Sequence, residues 1–384
     1  MIKLSKSNAE SEFMEPRNDV RFEVCHELSQ VAPWDTFVAS CPAAHFEQTS
    51  AWGALKGIYG WKPVWVWASR NGQIVAGAMI LIRRAARFVK IGYVLRGPVW
   101  MPGESESLDL AVKALYQFAR SAGSTYLVVV PPNHAEDLVS VLESLGFHRK
   151  PDLLPPTGID TATLVIDLQQ DLDAIFSAMS MTKRQNIRRG LRKGVKVRVG
   201  DETDADTFRK LMVMACKRRG IRATPRQEDF FHQLWHKMGP AGTVKFFMAE
   251  VEGEPVSGAC TMVFGGRLQL WRVGWSGKFD RYDPNDVLHW EIIKWAKENG
   301  CKEFDFAHVR RNHARALLKG RKISDSYSGV TDYKMGFGGE LRLLPEHHYR
   351  SFHPAIHSVL SMGLARIVSS MADIRVFSKI AEKF

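Results

Sequence analysis

Residues 72–82 read "GQIVAGAMILI", and residues 253–264, in the other half of the chain, read "GEPVSGACTMVF". Both stretches carry two glycines at the same spacing, a small residue directly after the second glycine, and then an apolar run. An apolar run that follows a glycine turn is typical of a β-strand. A pattern written twice in one chain suggests two copies of one structural unit.

The residues that follow each stretch also match. The first copy continues with the strand pattern "KIGYVLRGPVW" (90–100), a helical stripe of Ala111, Leu115 and Phe118, and the strand "YLVVVPP" (126–132). The second continues with "RLQLWRVGWSG" (267–277), a helical stripe of Leu288, Ile292 and Trp295, and "KEFDFAHV" (302–309). Glycine ends both helical patterns, at Gly123 and Gly300. A shared order of element types favours duplication over a coincidence of loop glycines.

This order of strand, strand, helix and strand resembles the centre of the acyl-CoA N-acyltransferase (GNAT) fold. We therefore predict an α/β protein with two tandem GNAT-like domains, each a mixed central sheet flanked by helices. The segment "HRKPDLLPPTGIDTATL" is rich in proline and glycine and predicts the boundary between them. The predicted parts are a flexible leader (1–20), a first domain (21–155), a second domain (156–345) and a C-terminal helical tail (346–384).

The composition indicates a folded protein with an anionic partner. The 384 residues are 45% hydrophobic and 24% charged, and the formal net charge is +12. Such an excess favours nucleic acid, phosphate or an acidic membrane face. The five cysteines form no CxxC pair, which indicates reduced thiols in the cytoplasm and no zinc site. We find neither a secretory signal nor an apolar run of the roughly 18 residues that a spanning helix needs.

Two basic segments without acids lie in the second half. Residues 182–198 hold these cations: Lys183, Arg184, Arg188, Arg189, Arg192, Lys193, Lys196 and Arg198. On a helix, Arg184, Arg188 and Arg192 share one face, which a phosphodiester backbone can contact, although a solvated helix face gives the same pattern. The second segment is 209–226. Since neither segment interleaves aromatic residues, we expect contacts to phosphates rather than to bases.

Other candidate sites are fewer. Tyr333 and Lys334 precede a Gly338–Gly339 turn that could let backbone approach a ligand. Four tryptophans of the first half read as core residues: Trp52, Trp61, Trp65 and Trp67. The sequence contains neither HExxH nor GxSxG, and we predict no metal.

Several motifs, taken in their order along the chain, resemble the Fem family of peptidoglycan bridge-forming aminoacyltransferases. They are "FEQTSAWGALK", "GWKP", "RGPVW", "KRQNIRRGLRKGVKV", "RRGIRATPRQEDFF", "GEPVSGA", "LHWEIIKWAKENG" and "DYKMGFGGE". The resemblance covers roughly residues 35–342 and implies two tandem acyltransferase-like domains. It also implies transfer of an amino acid from aminoacyl-tRNA to an amine of a cell-wall precursor, without acetyl-CoA or another cofactor.

The resemblance assigns roles to individual residues. Lys56 and Arg226 look like the cations that hold the phosphates of a muramyl-peptide precursor, and Trp61 would line the same cleft. Phe230 stands where the family often has a tyrosine, so one hydroxyl contact is missing. Tyr333 and Lys334 look like the residues that meet the terminal adenosine and phosphate of tRNA. Lys183, Arg184, Arg188 and Arg192 are the other predicted tRNA contacts.

The chain also departs from the family. The strand that tends to end in Asp-x-Gly-Gly reads "FDFAHV" here, which keeps Asp305 and loses the glycines. The long helical arm of some members is missing from 182–240. The implied reaction is aminolysis of an ester, for which the attacking amine must be neutral. We predict Asp305 as its base and Lys334 as the group that offsets the oxyanion charge.

Two other functions remain open at this point. One is an acyl-CoA N-acyltransferase that acts on a polysaccharide or lipid precursor, and the other is a tRNA-binding module without catalysis. The tail from residue 353 reads either as an amphipathic helix on a membrane surface, with Arg366, Arg375 and Lys379 as anchors, or as a helix packed on the second domain. We expect a cytoplasmic monomer that works at the inner face of the membrane.

Overall fold

The computed structural model describes residues 20–352, apart from 87–88, 102–104, 134, 151–156, 160 and 326. These residues form two α/β units, each built on its own mixed sheet. The predicted leader, except for Val20, lies outside the described residues, as does the predicted tail from residue 353 onward.

The first unit contains most of one sheet. Its elements are β1 (Val20–Cys25), α1 (Ala32–Ser40), α2 (Ser50–Ile58), β2 (Lys62–Arg70), β3 (Gln73–Ala86), β4 (Val89–Leu95), β5 (Val99–Trp100), α3 (Ser105–Ser121), β6 (Tyr126–Val130), α4 (Glu136–Ser144) and β7 (His148–Arg149). Strands β1, β2, β3, β4 and β6 are neighbours in that order, and β5 pairs with β3.

The second unit contains the other sheet. Its elements are β8 (Ala162–Asp167), α5 (Leu172–Ala178), α6 (Met181–Arg192), β9 (Lys196–Gly200), α7 (Ala205–Arg218), α8 (Phe230–Met238), β10 (Val244–Val251), β11 (Glu254–Phe264), β12 (Arg267–Trp275), α9 (Pro284–Glu298), β13 (Glu303–Asp305), α10 (Arg311–Leu318), α11 (Ser328–Met335) and β14 (Glu340–Leu343). The sheet order is β14, β8, β13, β12, β11, β10, β9.

Strands β3 and β11 are the two matching stretches of sequence, and their surroundings match as well. Each pairs antiparallel with the strand before it and with the strand after it. Strand β4 then runs parallel to β6, just as β12 runs parallel to β13. A Cβ at Gly77 would lie 2.4 Å from the carbonyl oxygen of Val66, so the close pairing of β2 with β3 requires glycine there.

The predicted helical stripes form the inner faces of α3 and α9. Ala111, Leu115 and Phe118 are buried, as are Leu288 and Ile292, while Trp295 packs partly buried against the same core. Residues three, four and seven positions apart share one side of a helix, so each stripe covers its sheet.

The part of the predicted tail that the structure describes contains a strand rather than a helix. Residues 346–384 read as helical, but His348–Ser351 form a strand, β15, which pairs with β6 and β7 of the first sheet. Tyr349 is buried there. The backbone of this segment completes a ladder with a distant strand, and no helical pattern can reveal such non-local pairing.

The two units share one apolar core. The Trp52 ring of α2 lies edge-on to Trp271 of β12 at 6.1 Å, and Tyr59 stacks on Phe230 of α8 at 5.3 Å. All these rings belong to one continuous hydrophobic cluster or pack against it. Helices α2 and α8 therefore join the units. Among the described residues, no helix combines the length and the apolar composition that a membrane crossing requires.

Candidate functional site

The main cleft is a cavity of about 710 Å³ in the second unit. It opens where two parallel strands separate, because β12 and β13 pair only from Arg267 to Gln269 and β12 continues to Trp275. The freed part of β12 forms one wall of the cleft, and α7, α9, α11 and the turn after β13 form the others. Sheet divergence thus creates the space that a substrate needs.

The charged lining of the main cleft is cationic. Five basic side chains line it: Arg219, Arg222, Arg272, Arg310 and Lys334. Among the described residues that line the cleft, none is aspartate or glutamate. Trp271, Trp275 and Tyr327 add aromatic surface, and Arg310 lies 3.4 Å from the centre of the Tyr327 ring. This combination suits a phosphate-bearing ligand with planar groups.

Lys334 binds the turn that follows β13. Its Nζ donates to the carbonyl oxygens of Phe306 at 3.1 Å, Ala307 at 2.6 Å and His308 at 3.1 Å. Ala307 and His308 have φ values of 48° and 46°, in the left-handed region that residues other than glycine avoid. The predicted role of Lys334 at the oxyanion stays a prediction, and the contacts give its ammonium a second task in shaping this turn.

Asp305, the predicted base, lies at the end of β13 and is 2% exposed. Its Oδ1 accepts hydrogen bonds from the Thr163 hydroxyl and, at 2.7 Å, from the N–H of Ala307. One oxygen of the carboxylate therefore binds an N–H of the turn, whereas Lys334 binds its carbonyl oxygens. Its role as a base stays a prediction.

Tyr333 belongs to a buried polar network behind the main cleft. Lys183 Nζ lies 2.6 Å from Asp286 Oδ1 and 3.3 Å from the centre of the Tyr333 ring. Burial lowers the pKa of Lys183 despite the opposing effect of Asp286, and burial raises the pKa of Tyr333. Asn186 also donates to Asp286, at 2.7 Å. Lys183 was predicted to contact tRNA, but the structure places its ammonium in this interior ion pair.

The network reaches the cleft at His289. Its Nδ1 lies 2.9 Å from the Tyr333 hydroxyl, and the side chain lines the cleft. Burial lowers the pKa of His289 to about 4, and Lys183 and Lys334 act in the same direction while Asp286 opposes them. The imidazole is therefore neutral at ordinary pH.

A small polar cavity of about 30 Å³ adjoins the main cleft at the junction of the units. Glu47 and Arg96 of the first unit and Asp305 of the second line it, and Trp271 and His308 line both cavities. Burial raises the pKa of Glu47 to about 7, although Arg96, Lys56 and Arg272 each lower it.

The residues predicted to hold the precursor occupy different environments. Lys56 on α2 is buried beside Trp52, and burial lowers its pKa to about 8 against the opposing effect of Glu47. Trp61 packs edge-on against Tyr93 in the core of the first unit. Phe230 is buried at the junction between Tyr59 and Trp271.

Arg226 is the exposed member of the predicted precursor set and precedes α8. The structure therefore brings Lys56 and Phe230 to the junction of the units. It places the rings of Trp61 and Phe230 in the core rather than on a surface.

The arginine face predicted from the sequence exists on α6. Arg188 and Arg192 are exposed, and Arg184 is partly buried and donates to the carbonyl of Ser177 at 3.3 Å. The inner face of the same helix carries Lys183 and Ile187. The run of cations is thus divided between solvent and core, and its three predicted arginines lie on the outer side.

Sequence reasoning missed several residues of the site. Arg219 and Arg222 belong to the second basic segment, but its pattern does not single them out. Glu47 lies in the motif "FEQTSAWGALK", but the motif gives it no role, and nothing in the sequence marks Arg272. The packing of the two units brings both residues to the site. His289 follows Asp286 by one helical turn in "DVLH", which is a weak signal for a polar face.

Two tandem GNAT-like units, joined through α2 and α8 and with a cationic cleft in the second, define a protein of the tandem GNAT class. The family model described as "FemAB family" matches residues 30–255, and that described as "Acetyltransferase (GNAT) domain" matches residues 181–335. The chain belongs to the FemAB family. The resemblance noted in the sequence is therefore confirmed.

Curated relatives carry the name lipid II:glycine glycyltransferase. That of Staphylococcus saprophyticus is 23% identical over 58% of this chain and 55% of its own length, and that of Staphylococcus aureus (strain COL) is 22% identical over 57% and 53%. The chain thus spans about half the length of these two relatives. That of Staphylococcus haemolyticus is 20% identical over 72% of this chain and 83% of its own length.

Solved structures confirm the fold. The crystal structure of FemX aligns with a TM-score of 0.75 at 16% identity and covers 88% of this chain and 99% of that one. A tandem GNAT protein from the clavulanic acid biosynthesis pathway aligns with a TM-score of 0.51 at 13% identity, over 88% and 99%. The predicted α/β fold with two tandem GNAT-like units is confirmed.

Proposed function

We propose that the protein transfers an amino acid from aminoacyl-tRNA to a primary amine of a muramyl-peptide precursor of the cell wall. The observation that carries this proposal is the main cleft, whose charged lining is cationic and whose inner end adjoins the buried carboxyls of Asp305 and Glu47. The relatives named lipid II:glycine glycyltransferase support a lipid-linked acceptor and an aminoacyl donor.

The donor end of tRNA matches the lining of the main cleft. Arginines such as Arg219 and Arg222 neutralise phosphates, and Trp271 and Trp275 offer faces on which unpaired bases stack. The outer face of α6, with Arg188 and Arg192, would contact the tRNA backbone further from the reacting end. This division leaves Lys334 and Tyr333 beside the aminoacyl ester.

The acceptor would approach at the junction of the units, between α2 of the first unit and the segment before α8 of the second. Arg226 offers an exposed cation to the precursor phosphates, and Lys56 adds positive potential from beneath the surface. We place the reaction at the junction of the units, where the small polar cavity meets the main cleft. The protein would work as a cytoplasmic monomer at the inner face of the membrane, where a lipid-linked acceptor resides, with the tail as a membrane contact.

A transfer assay tests the proposal. Purified protein is incubated with a pool of radiolabelled aminoacyl-tRNAs and either lipid II or its nucleotide-linked precursor, and label is followed into the acceptor. We expect label to move, and we expect Arg219→Glu with Arg222→Glu to weaken tRNA binding. Arg120→Glu, an exposed arginine of α3, serves as the matched control. Failure of every aminoacyl-tRNA with every acceptor would reject the proposal.

A coenzyme A-dependent N-acyltransferase is the second candidate. The GNAT domain match favours it, and the same arginines could bind the phosphates of coenzyme A. Replacing the tRNA pool with acetyl-CoA in the same assay distinguishes the two donors. Binding of tRNA without transfer from either donor would instead indicate a non-catalytic module.

A further inference from the structure

His289 lies in the wall of the main cleft and is almost wholly buried. No described residue forms a hydrogen bond with its Nε2, although the side chain is 3% exposed. A buried polar atom without a partner costs about 1–3 kcal/mol, and each such atom in a native structure calls for an explanation. Because the side chain also lines the cleft, contact with a substrate is a natural explanation.

The neighbours of His289 determine which ring nitrogen carries the proton. Nδ1 lies 2.9 Å from the Tyr333 hydroxyl, the one side-chain group that the described structure places within hydrogen-bond distance of this ring. The Tyr333 hydroxyl also hydrogen-bonds to Asp286, which is ion-paired with Lys183. A carboxylate only accepts, so the hydroxyl donates to Asp286 and accepts from Nδ1–H. Nε2 then carries a lone pair that no described residue uses.

We propose that Nε2 of His289 takes the proton of the attacking amine and returns it to the departing ribose oxygen. This inference rests on the proposed transfer from aminoacyl-tRNA. The amine nitrogen forms a bond to the ester carbonyl carbon, and the bond from that carbon to the ribose oxygen breaks. One proton moves from nitrogen to Nε2 and then to that oxygen, so the step needs no further reactant.

The charges around His289 suit this role. Asp286 faces it from α9, Lys183 from α6, and Tyr333 and Lys334 from α11, while Phe306 contributes only an apolar ring. Because burial lowers the pKa of His289 to about 4, the imidazole stays unprotonated through the neutral range. Its conjugate acid is correspondingly strong, which favours delivery of the proton to an alkoxide.

Single-turnover transfer from aminoacyl-tRNA, measured from pH 4.5 to 8, tests the inference. We expect His289→Gln to lower the rate by about 100-fold or more, as loss of an acid–base group does, with tRNA affinity and thermal unfolding little changed. Added imidazole should restore part of the rate of His289→Ala. His348→Gln removes a buried histidine of β15 in the first sheet that does not line the main cleft, and it should neither lose the rate nor respond to imidazole.

A second variant covers the case in which replacement of His289 prevents folding. Tyr333→Phe keeps the ring and removes the hydroxyl that holds Nδ1–H, so the rate should fall and its dependence on pH should shift. A wild-type rate in His289→Gln, or an unchanged pH profile in Tyr333→Phe with no imidazole rescue of His289→Ala, would overturn the role of His289 alone. A wild-type protein that transfers nothing would overturn the proposed function and this inference together.

Discussion

Ala307 and His308 adopt a left-handed backbone conformation that residues other than glycine avoid. A left-handed φ costs an ordinary residue about 1–2 kcal/mol, and here two such residues are adjacent. Lys334 and Asp305 supply the hydrogen bonds that hold this turn. This strained turn lies where the main cleft meets the small cavity, and backbone strain is typical of functional sites.

Replacing Ala307 with glycine should therefore raise stability. Relief of the strain outweighs the entropy cost of glycine, so we expect a gain of about 0.5–1 kcal/mol. Thermal or urea unfolding measures it. Ala316→Gly, within α10, is the matched control and should lower stability by about 1 kcal/mol. A loss at position 307 as large as the loss at position 316 would contradict the strain argument.

Lys334→Ala tests the other half of the same turn. Hydrogen bonds from a charged donor contribute about 1.5–3 kcal/mol, so we expect a stability loss in this range and slower transfer with little change in precursor binding. The loss should be smaller when Ala307→Gly is already present, because a relaxed turn needs less support. Strict additivity in the double-mutant cycle would show that Lys334 does not support the turn. Lys319→Ala, an exposed lysine, is the control.

At the scale of elements, the run of charges on helix α6 predicted which arginines share a helix face but not which cation of the run is buried. Spacing by four correctly placed Arg184, Arg188 and Arg192 on one face. The same periodicity puts Lys183, Ile187 and Gly190 on the inner face, but a lysine in a cationic run gives no sign of its buried partner. Asp286 lies on another helix, and only the packed structure brings the two together.

Gly190 illustrates the same limit. The stretch "RRGLRKG" has two glycines four residues apart, and the first of them, Gly190, lies inside α6. A Cβ there would be 2.5 Å from the carbonyl oxygen of Tyr282 and 2.5 Å from Val287. The glycine therefore permits close contact of α6 with the start of α9. Helical phase was readable from the sequence, whereas the neighbour that demands glycine was not.

The arginine face of α6 should contribute to tRNA binding through charge alone. Replacing Arg184, Arg188 and Arg192 with glutamine should weaken binding and reduce the slope of log affinity against log salt by about 2, since each phosphate contact on a single strand contributes roughly 0.7. Filter binding across a salt series measures this slope. A control with Lys62, Arg120 and Lys237 replaced by glutamine, three exposed cations elsewhere, should leave it unchanged. Equal slopes in both variants would exclude α6 from the interface.

At the scale of the whole molecule, the sequence predicted the duplicated unit but not how the copies meet. Each copy of the repeat contains its own apolar runs and glycines, so the sequence shows the order of strands and helices within each unit. The junction depends on side chains far apart in sequence, such as Glu47, Lys56 and Arg272, whose charges interact in the interior. Strand β15 adds a further link, since it follows the second unit in the chain and pairs in the first sheet.

Burial of Glu47 at this junction should make stability depend on pH. The pKa of this carboxyl is about 7 in the folded protein and 4.5 ordinarily, so the folded state holds the proton more tightly than the unfolded state does. The stability gained from this proton is fully present below about pH 4.5 and is lost as pH rises through 7. Glu47→Gln cannot titrate. The unfolding free energy of the variant minus that of the wild type should therefore rise between pH 4.5 and 7.5, by on the order of 3 kcal/mol at about 1.4 kcal/mol per pKa unit. Stopping at pH 7.5 keeps the opposite effect of Lys56, whose pKa is about 8, mostly outside the measured range.

Urea unfolding at each pH gives the difference between Glu47→Gln and the wild type. Glu298→Gln, which replaces an exposed residue at the end of α9, should show almost no such difference. A flat difference for Glu47→Gln would mean that this carboxyl is ionised throughout and that the cations of the junction outweigh its burial.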